Sequence, residues 1–282
     1  MNYKNTYQRG LAFMMAFAGI IMLVCCVLPS KSDITTKRYY AEQQNSKAIV
    51  KIAVDYPISG SDKSLSKIQS QIISVLQNCA TDKYTSVKPK HLVAQAAKIK
   101  HHQIEQANIS PDDAPKYQSE FFESITKLAE NENFITFAHQ TYTYEGGAHG
   151  LSATEMFTYR KSDGKRINAG ILQPNLSADF KKLLAQGIKA YFSSFDEDTT
   201  IFSEYNINNM PLPESKPFLT DNGVGFIYSQ YEIAPYASGE PAFVIPYQMI
   251  EPYLSSEVAG IITPTDESAK ITAFGIKSPW KE

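Results

Sequence analysis

A β-rich run from Phe134 to Tyr144 breaks off at Glu145-Gly-Gly-Ala-His-Gly150, and a second strand-like run, Leu151 to Tyr159, leads away from it. Two extended segments joined by so short a corner turn back on each other as a hairpin, which commits this part of the chain to a sheet. Gly146 and Gly147, with Gly150 shortly after, suggest a backbone that visits φ > 0 or is closely approached. A rigid hairpin also displays side chains well, and this one displays an imidazole, His149. Two roles are open to it. The ring presents itself to a ligand, or it locks the corner through a backbone hydrogen bond while the glycines turn the chain.

The N-terminus sets the compartment. Lys4 and Arg9 precede an uninterrupted apolar stretch, Leu11 to Leu28, with Cys25 and Cys26 near its end. A short basic region followed by an apolar core reads as an export signal. The stretch is also close to the roughly 20 residues that span a bilayer, so an uncleaved membrane anchor is compatible with it. Leu23-Val24-Cys25-Cys26 resembles a lipoprotein signal with the lipid on Cys26, or alternatively on Cys25. It departs from that pattern by placing Cys25 where a small residue usually stands. Each version puts the body of the protein outside the cytoplasm, with residues 27–46 as a tether that is polar and without periodicity from Ser30 onward.

Composition removes several function classes. A formal charge of −2 leaves no basic footprint for nucleic acid. Only Cys79 remains beyond the signal, so no disulfide is expected in the body. It falls on a helical apolar face, where an inert buried thiol is the expectation. No metal-ligand spacing is evident, because His101 and His102 are adjacent and diverge on a helix. Asp196-Glu-Asp198 lacks the glycine and distal glutamate of a calcium loop and reads as solvated. No cofactor is expected.

Periodicity supplies the rest of the plan. Lys47 to Tyr56 alternates as a strand ended by Pro57-Ile-Ser-Gly60. Leu65, Ile68, Ile72, Val75, Leu76 and Cys79 share a helical face. Two more helices are expected, around Leu92, Ala96 and Ile99 and around Phe121, Phe122, Ile125 and Leu128, separated by a turn at Pro111–Pro115. Phe180, Leu183, Leu184, Gly187, Ile188, Tyr191 and Phe192 form the most regular helical stripe, with Ser177 as its N-cap. Asn222-Gly223 marks a hairpin between Phe218–Thr220 and Val224–Tyr228. A strand at Ala242–Pro246 and a short helix at Gln248–Leu254 follow. Strands and helices in irregular order predict an α+β fold of mostly antiparallel, hairpin-rich sheet packed with amphipathic helices. The expected division is an N-terminal domain over 47–170 and a C-terminal one over 171–282.

Two motifs carry a resemblance. Tyr142-Thr-Tyr-Glu-Gly-Gly-Ala-His-Gly150 followed by Tyr231-Glu-Ile-Ala-Pro-Tyr-Ala-Ser-Gly239 resembles paired cell-envelope domains named for unknown function. The general layout covers roughly residues 45–256. Such domains form the extracellular part of a lysozyme-sensing anti-sigma factor and the non-catalytic N-terminal part of some peptidoglycan deacetylases. The resemblance implies a sensor-like α+β module that binds a lysozyme-like protein or peptidoglycan. Neither a cytoplasmic sigma-binding domain before Leu11 nor a deacetylase domain after the pair is expected.

Three functional readings follow. The first is an anchored binding module using Tyr142, Tyr144, Glu145, Gly146, Gly147, His149 and Gly150 with Tyr231, Glu232, Tyr236 and Gly239. Tyrosines offer large contact area at low entropic cost. The second is an envelope hydrolase pairing His149 with Glu145 or Glu232, although no nucleophile elbow or zinc-protease helix accompanies them. The third is a structural envelope component.

Overall fold

Val50, Ile52, Val54 and Tyr56 alternate with Ile49, Lys51, Ala53 and Asp55, and that alternation places them on the core face of strand β2 (Ala48–Ser59). The computed structural model describes residues 33–60, 62–78, 88–107, 117–194, 210–262 and 269–276, which all fall in one compact unit, Lys31–Glu282. β2 lies between an antiparallel partner, β1 (Thr35–Gln44), and a parallel one, β3 (Ser119–Glu130). Parallel neighbours need a long crossover. Here it holds two helices, α1 (Asp62–Asn78) and α2 (Pro89–Ala107), whose Ile68, Ile72, Leu76, Leu92 and Ala96 cover one face of the sheet. β4 (Phe134–Tyr144) and β5 (Leu151–Arg160) form the expected hairpin and complete the order β1-β2-β3-β4-β5.

The second sheet is antiparallel throughout, with β6 (Phe218–Leu219), β7 (Gly223–Ile227), β8 (Ala242–Pro246) and β9 (Thr272–Ala273) in that order. Against it lies α3 (Ala178–Ser193), whose i, i+4, i+8, i+12 stripe of Phe180, Leu184, Ile188 and Phe192 shares a core with Phe226 and Phe243. Ser177 holds the N-cap position, yet its side chain makes no capping bond. Short helices α4 (Tyr247–Ile250) and α5 (Ser256–Ala259) follow β8. The described residues are thus α+β, with two mostly antiparallel sheets.

The helix-free face of the first sheet meets the second sheet through a buried hydrogen-bond ring. Thr136 and Thr158 stand opposite each other on β4 and β5. The Thr136 hydroxyl donates to the Leu219 carbonyl at 2.7 Å, and the Thr158 hydroxyl donates to Thr136 at 2.9 Å. Leu219 N–H closes the ring by donating to Thr158 at 3.1 Å. Ala138, Met156, Phe218, Ile227 and Ala242 form an apolar cluster at the same junction.

Three expectations need correction. Residues 119–130, expected as a helix, form central strand β3: Phe121 and Ile125 point to the helix-covered core while Phe122 faces the other way, and strands on both sides satisfy the backbone. Residues 35–44, expected within the tether, form edge strand β1, whose largely exposed surface requires polar residues. β2 also runs through Pro57 to Ser59, because its pairing with β3 stops at Val54 and leaves only β1 as a neighbour there. The N-terminal segment with Cys25 and Cys26, the Cys79 thiol, the turn at Pro111–Pro115 and Asp196–Asp198 lie outside the described residues. Among the described residues no helix is long and apolar enough to cross a membrane.

Candidate functional site

The β4–β5 corner uses its glycines in two different ways. Gly146 and Gly147 adopt φ of +95° and +103°, conformations that L side chains resist. The Tyr144 hydroxyl braces this turn by donating to the Gly147 carbonyl at 3.1 Å. Gly150 is needed instead for space, since a Cβ there would lie 2.5 Å from the Tyr142 ring. Tyr142 therefore lies over bare backbone on one side and stacks on Phe122 of β3 on the other, with ring centroids 5.5 Å apart.

His149 joins this corner to the long β7–β8 connection, residues 228–241. Its ring stacks on Tyr236 with centroids 3.7 Å apart and planes 17° from parallel. Nδ1 lies 3.3 Å from the Gly150 carbonyl and Nε2 lies 3.4 Å from the Tyr231 hydroxyl, both at the long end for hydrogen bonds. A carbonyl only accepts, so the network assigns the proton to Nδ1 and makes Nε2 the acceptor from Tyr231. Tyr231 holds a φ of +67°, which for a tyrosine stores strain of order 1–3 kcal/mol. The His149–carboxylate pair that the hydrolase reading requires is not formed. Both Glu232 oxygens accept backbone N–H groups, from Ser229 at 2.7 Å and Glu214 at 2.8 Å, and Glu145 is exposed on the corner. Glu232 shapes its own loop, and Gly239, at φ +65°, ends the turn at Tyr236–Ser238.

Between that connection and the helix-free sheet face lies a cleft of about 540 Å³, within the range of small-ligand sites. Register builds its floor. Phe122, Tyr142 and Ser152 stand in one row across β3, β4 and β5, with Ser124, Gln140 and Thr154 in the next. Tyr236 and Glu240 form the facing wall. Thr154 donates to Glu240 Oε2 at 2.7 Å, and Gln230 Oε1 accepts from Ser152 N–H at 2.9 Å, so the wall is tied to β5 at two points. Tyr191 of α3 holds it from behind by donating to the Ser238 carbonyl at 2.9 Å.

Among the lining residues, Glu240 Oε1 and Gln140 Oε1 are closed off from solvent and have no hydrogen-bond partner among the described residues. Burial pushes the Glu240 carboxyl above the usual carboxylate range, and its hydrogen bonds with Thr154 partly oppose that. Burial, followed by the charge of Glu120, raises the Tyr142 hydroxyl as well. Of the residues singled out from sequence, Tyr142 and Tyr236 line the cleft, while His149 and Tyr231 brace its rim. Phe122, expected on a helix face, and Gln140, Thr154 and Glu240 were not among them. Strand parity would have revealed the first three, whereas Glu240 follows directly on the second motif at Gly239.

Residues 168–248 match the family described as protein of unknown function (DUF3298). The matched stretch runs from the turn before α3 into α4; it includes Tyr231–Gly239 and Glu240 but not the β4–β5 corner. The fold is similar to the crystal structure of a DUF3298 family member from Bacteroides fragilis, at 18% identity and a TM-score of 0.60, over 81% of this chain and 98% of that one. It is also similar to a DUF3298 family protein from Pseudomonas aeruginosa, at 17% identity and a TM-score of 0.58, over 81% and 97% of the two chains. At these identities the likeness is one of fold. No curated protein matches the chain.

Proposed function

We propose that the protein is an anchored extracytoplasmic binding module that holds a segment of cell-wall glycan in the cleft between β3–β5 and the β7–β8 connection. The carrying observation is that Phe122, Tyr142 and Tyr236 line one cleft together with the hydrogen-bonding side chains of Gln140, Thr141 and Ser152. A sugar ring has apolar C–H faces and a polar rim, so it matches such walls and floor together. The basic and apolar N-terminal pattern supports the location, with Cys26 as lipid site; Cys26→Ser should leave an unprocessed precursor, seen as a heavier N-terminal fragment by mass spectrometry. Sedimentation of the full chain in detergent with purified peptidoglycan tests the ligand. The parent should co-sediment, and Tyr142→Ala and Tyr236→Ala should weaken binding while retaining the fold by circular dichroism. No binding by the parent, or equal binding by both variants, ends this reading.

A second reading, docking of a lysozyme-like protein, draws on exposed apolar surface beside the cleft. Tyr117, Leu151 and Tyr231 are each more than half exposed around the corner, and exposed tyrosines are common anchors in protein interfaces. On that reading, Leu151→Ala would weaken capture of lysozyme and leave glycan binding unchanged.

A further inference from the structure

The two edges of the first sheet are finished differently. Along β5 the outward backbone groups are taken up: Ser152 N–H donates to Gln230, Thr158 N–H donates to Asn168 Oδ1 at 2.8 Å, and the Met156 carbonyl accepts from Arg166. Beyond β1 no strand follows among the described residues. Natural edge strands are commonly kept short, interrupted by proline or covered. β1 runs for ten residues without proline, and its register shift lies at its start, between Thr35 and Thr36. The hairpin to β2 shows which backbone groups face outward. Asn45 N–H donates to the Ala48 carbonyl at 2.9 Å, so Gln43, Ala41 and Tyr39 exchange their bonds with Val50, Ile52 and Val54. Arg38, Tyr40, Glu42 and Gln44 therefore direct their backbone groups away from the sheet. Tyr39 and Ala41 pack on the helix-covered core, which leaves Arg38, Tyr40 and Glu42 together on the opposite face, with Tyr40 53% exposed.

We propose that a second copy of this chain pairs with this edge, β1 against β1 and antiparallel, about a two-fold axis at Tyr40. Charge selects both the occupant and the register. β1 is basic at Lys37-Arg38 and acidic at Glu42, so an antiparallel copy of itself sets unlike charges opposite each other. A two-fold axis normal to the sheet passes through a residue that faces its own copy. With Tyr40 in that place, Arg38 stands opposite the partner's Glu42 on both sides of the axis. An axis at Arg38 or at Glu42 would oppose like charges, and one at Tyr39 or Ala41 would set the unlike charges out of step. Asp55 holds Arg38 through Nε and Nη2, at 2.7 and 2.8 Å, which leaves Nη1 to donate across the seam. Pairing from Thr36 to Gln44 forms about ten backbone hydrogen bonds and joins two five-stranded sheets into one. The axis preserves the faces of the sheet, so both clefts open on the same side. The pairing goes beyond the binding reading above and does not depend on it.

Light scattering of the full chain in detergent, with the mass of the detergent subtracted, should give two chains at about 0.1 mM. Tyr40→Pro removes the outward N–H at the axis and should give one chain with an unchanged circular dichroism spectrum, since an edge strand tolerates proline there. The variant keeps the parent's N-terminal segment, so association through that segment would persist in it. Should Tyr40→Pro unfold, Glu42→Lys probes the same seam by setting a second cation against Arg38, and the dissociation constant should rise about tenfold. Tyr40→Cys should form a disulfide-linked pair on mild oxidation, because residues facing each other at the axis have Cα atoms about 5.5 Å apart. Lys37→Cys should not exceed the parent's background, since its own copy lies about 20 Å away along the strand. A single chain in the parent, a dimer that persists in folded Tyr40→Pro, parent-like association of Glu42→Lys, or crosslinking of Lys37→Cys equal to that of Tyr40→Cys overturns the pairing.

Discussion

Gly150→Ala tests how the corner and the cleft are coupled. The new methyl would lie 2.5 Å from the Tyr142 ring while leaving a backbone outside the positive-φ region. Its direct effect is therefore to push Tyr142 off its seat and away from Phe122. Forcing a packed ring aside costs roughly 1–3 kcal/mol. Replacing glycine where alanine tolerates the backbone returns roughly 0.4–1 kcal/mol through the unfolded chain. The net expectation is a destabilisation of up to about 2.6 kcal/mol in the parent. In a Tyr142→Ala background the obstruction is gone, so the same substitution should stabilise by about 0.4–1 kcal/mol. The sign of the effect thus inverts with the state of residue 142. Urea denaturation of the four proteins of the cycle measures it directly. Additivity within about 0.5 kcal/mol would show that Gly150 and Tyr142 do not meet, and the account of the corner would fall.

Leu184→Ala, which empties a fully buried site between α3 and the second sheet, should cost about 2–5 kcal/mol in denaturation; a loss under about 0.5 kcal/mol would place the residue at the surface. Lys161 is 5% exposed and donates to Glu130 Oε1 at 2.6 Å and to the Asn131 carbonyl at 2.9 Å. Glu130 keeps Lys127 at 2.6 Å and the Ile34 N–H at 2.6 Å, so Lys161→Ala should cost about 1–3 kcal/mol through the lost bonds, and Lys161→Arg should recover part of that. Asp163 is held at a pKa of about 2, first by its hydrogen bonds from Arg160. Its contribution is present above pH ~4 and is lost as pH falls towards about 2. Because the pair is largely solvated, Asp163→Asn should remove only about 0.2–1 kcal/mol at neutral pH, and the difference should vanish in acid.

Where a strand's two faces differ in polarity, the sequence was readable. β2 alternates cleanly, and the β4–β5 corner announces itself through glycine. β3 misleads because Phe121, Phe122, Ile125 and Leu128 imitate a helical stripe, while Glu123 is fully buried on the helix side, hydrogen-bonded to His139 at 2.8 Å. No sequence pattern signals a carboxylate that is paired from a neighbouring strand. A bulge between Lys127 and Ala129 then shifts the parity near the strand's end. β1 misleads for the opposite reason, since an edge strand facing water is built from the same polar residues as a linker. The cleft was half visible. Tyr142 and Tyr236 stand in recognisable motifs, whereas Phe122 and Glu240 become neighbours only once β3 is known to be a strand and the β7–β8 connection folds over it.

The ring formed by Thr136, Thr158 and Leu219 bears on how the protein comes apart. Pulling the two sheets from one another would leave two hydroxyls and a backbone amide and carbonyl unsatisfied at once, each costing roughly 1–3 kcal/mol until water reaches it. Opening at this seam is therefore opposed until water enters, and it also exposes the apolar cluster at the same junction. Amide hydrogens on β4, β5 and β7 should exchange with one shared protection, as a single cooperative unit spanning both sheets, even though the chain reads as two halves.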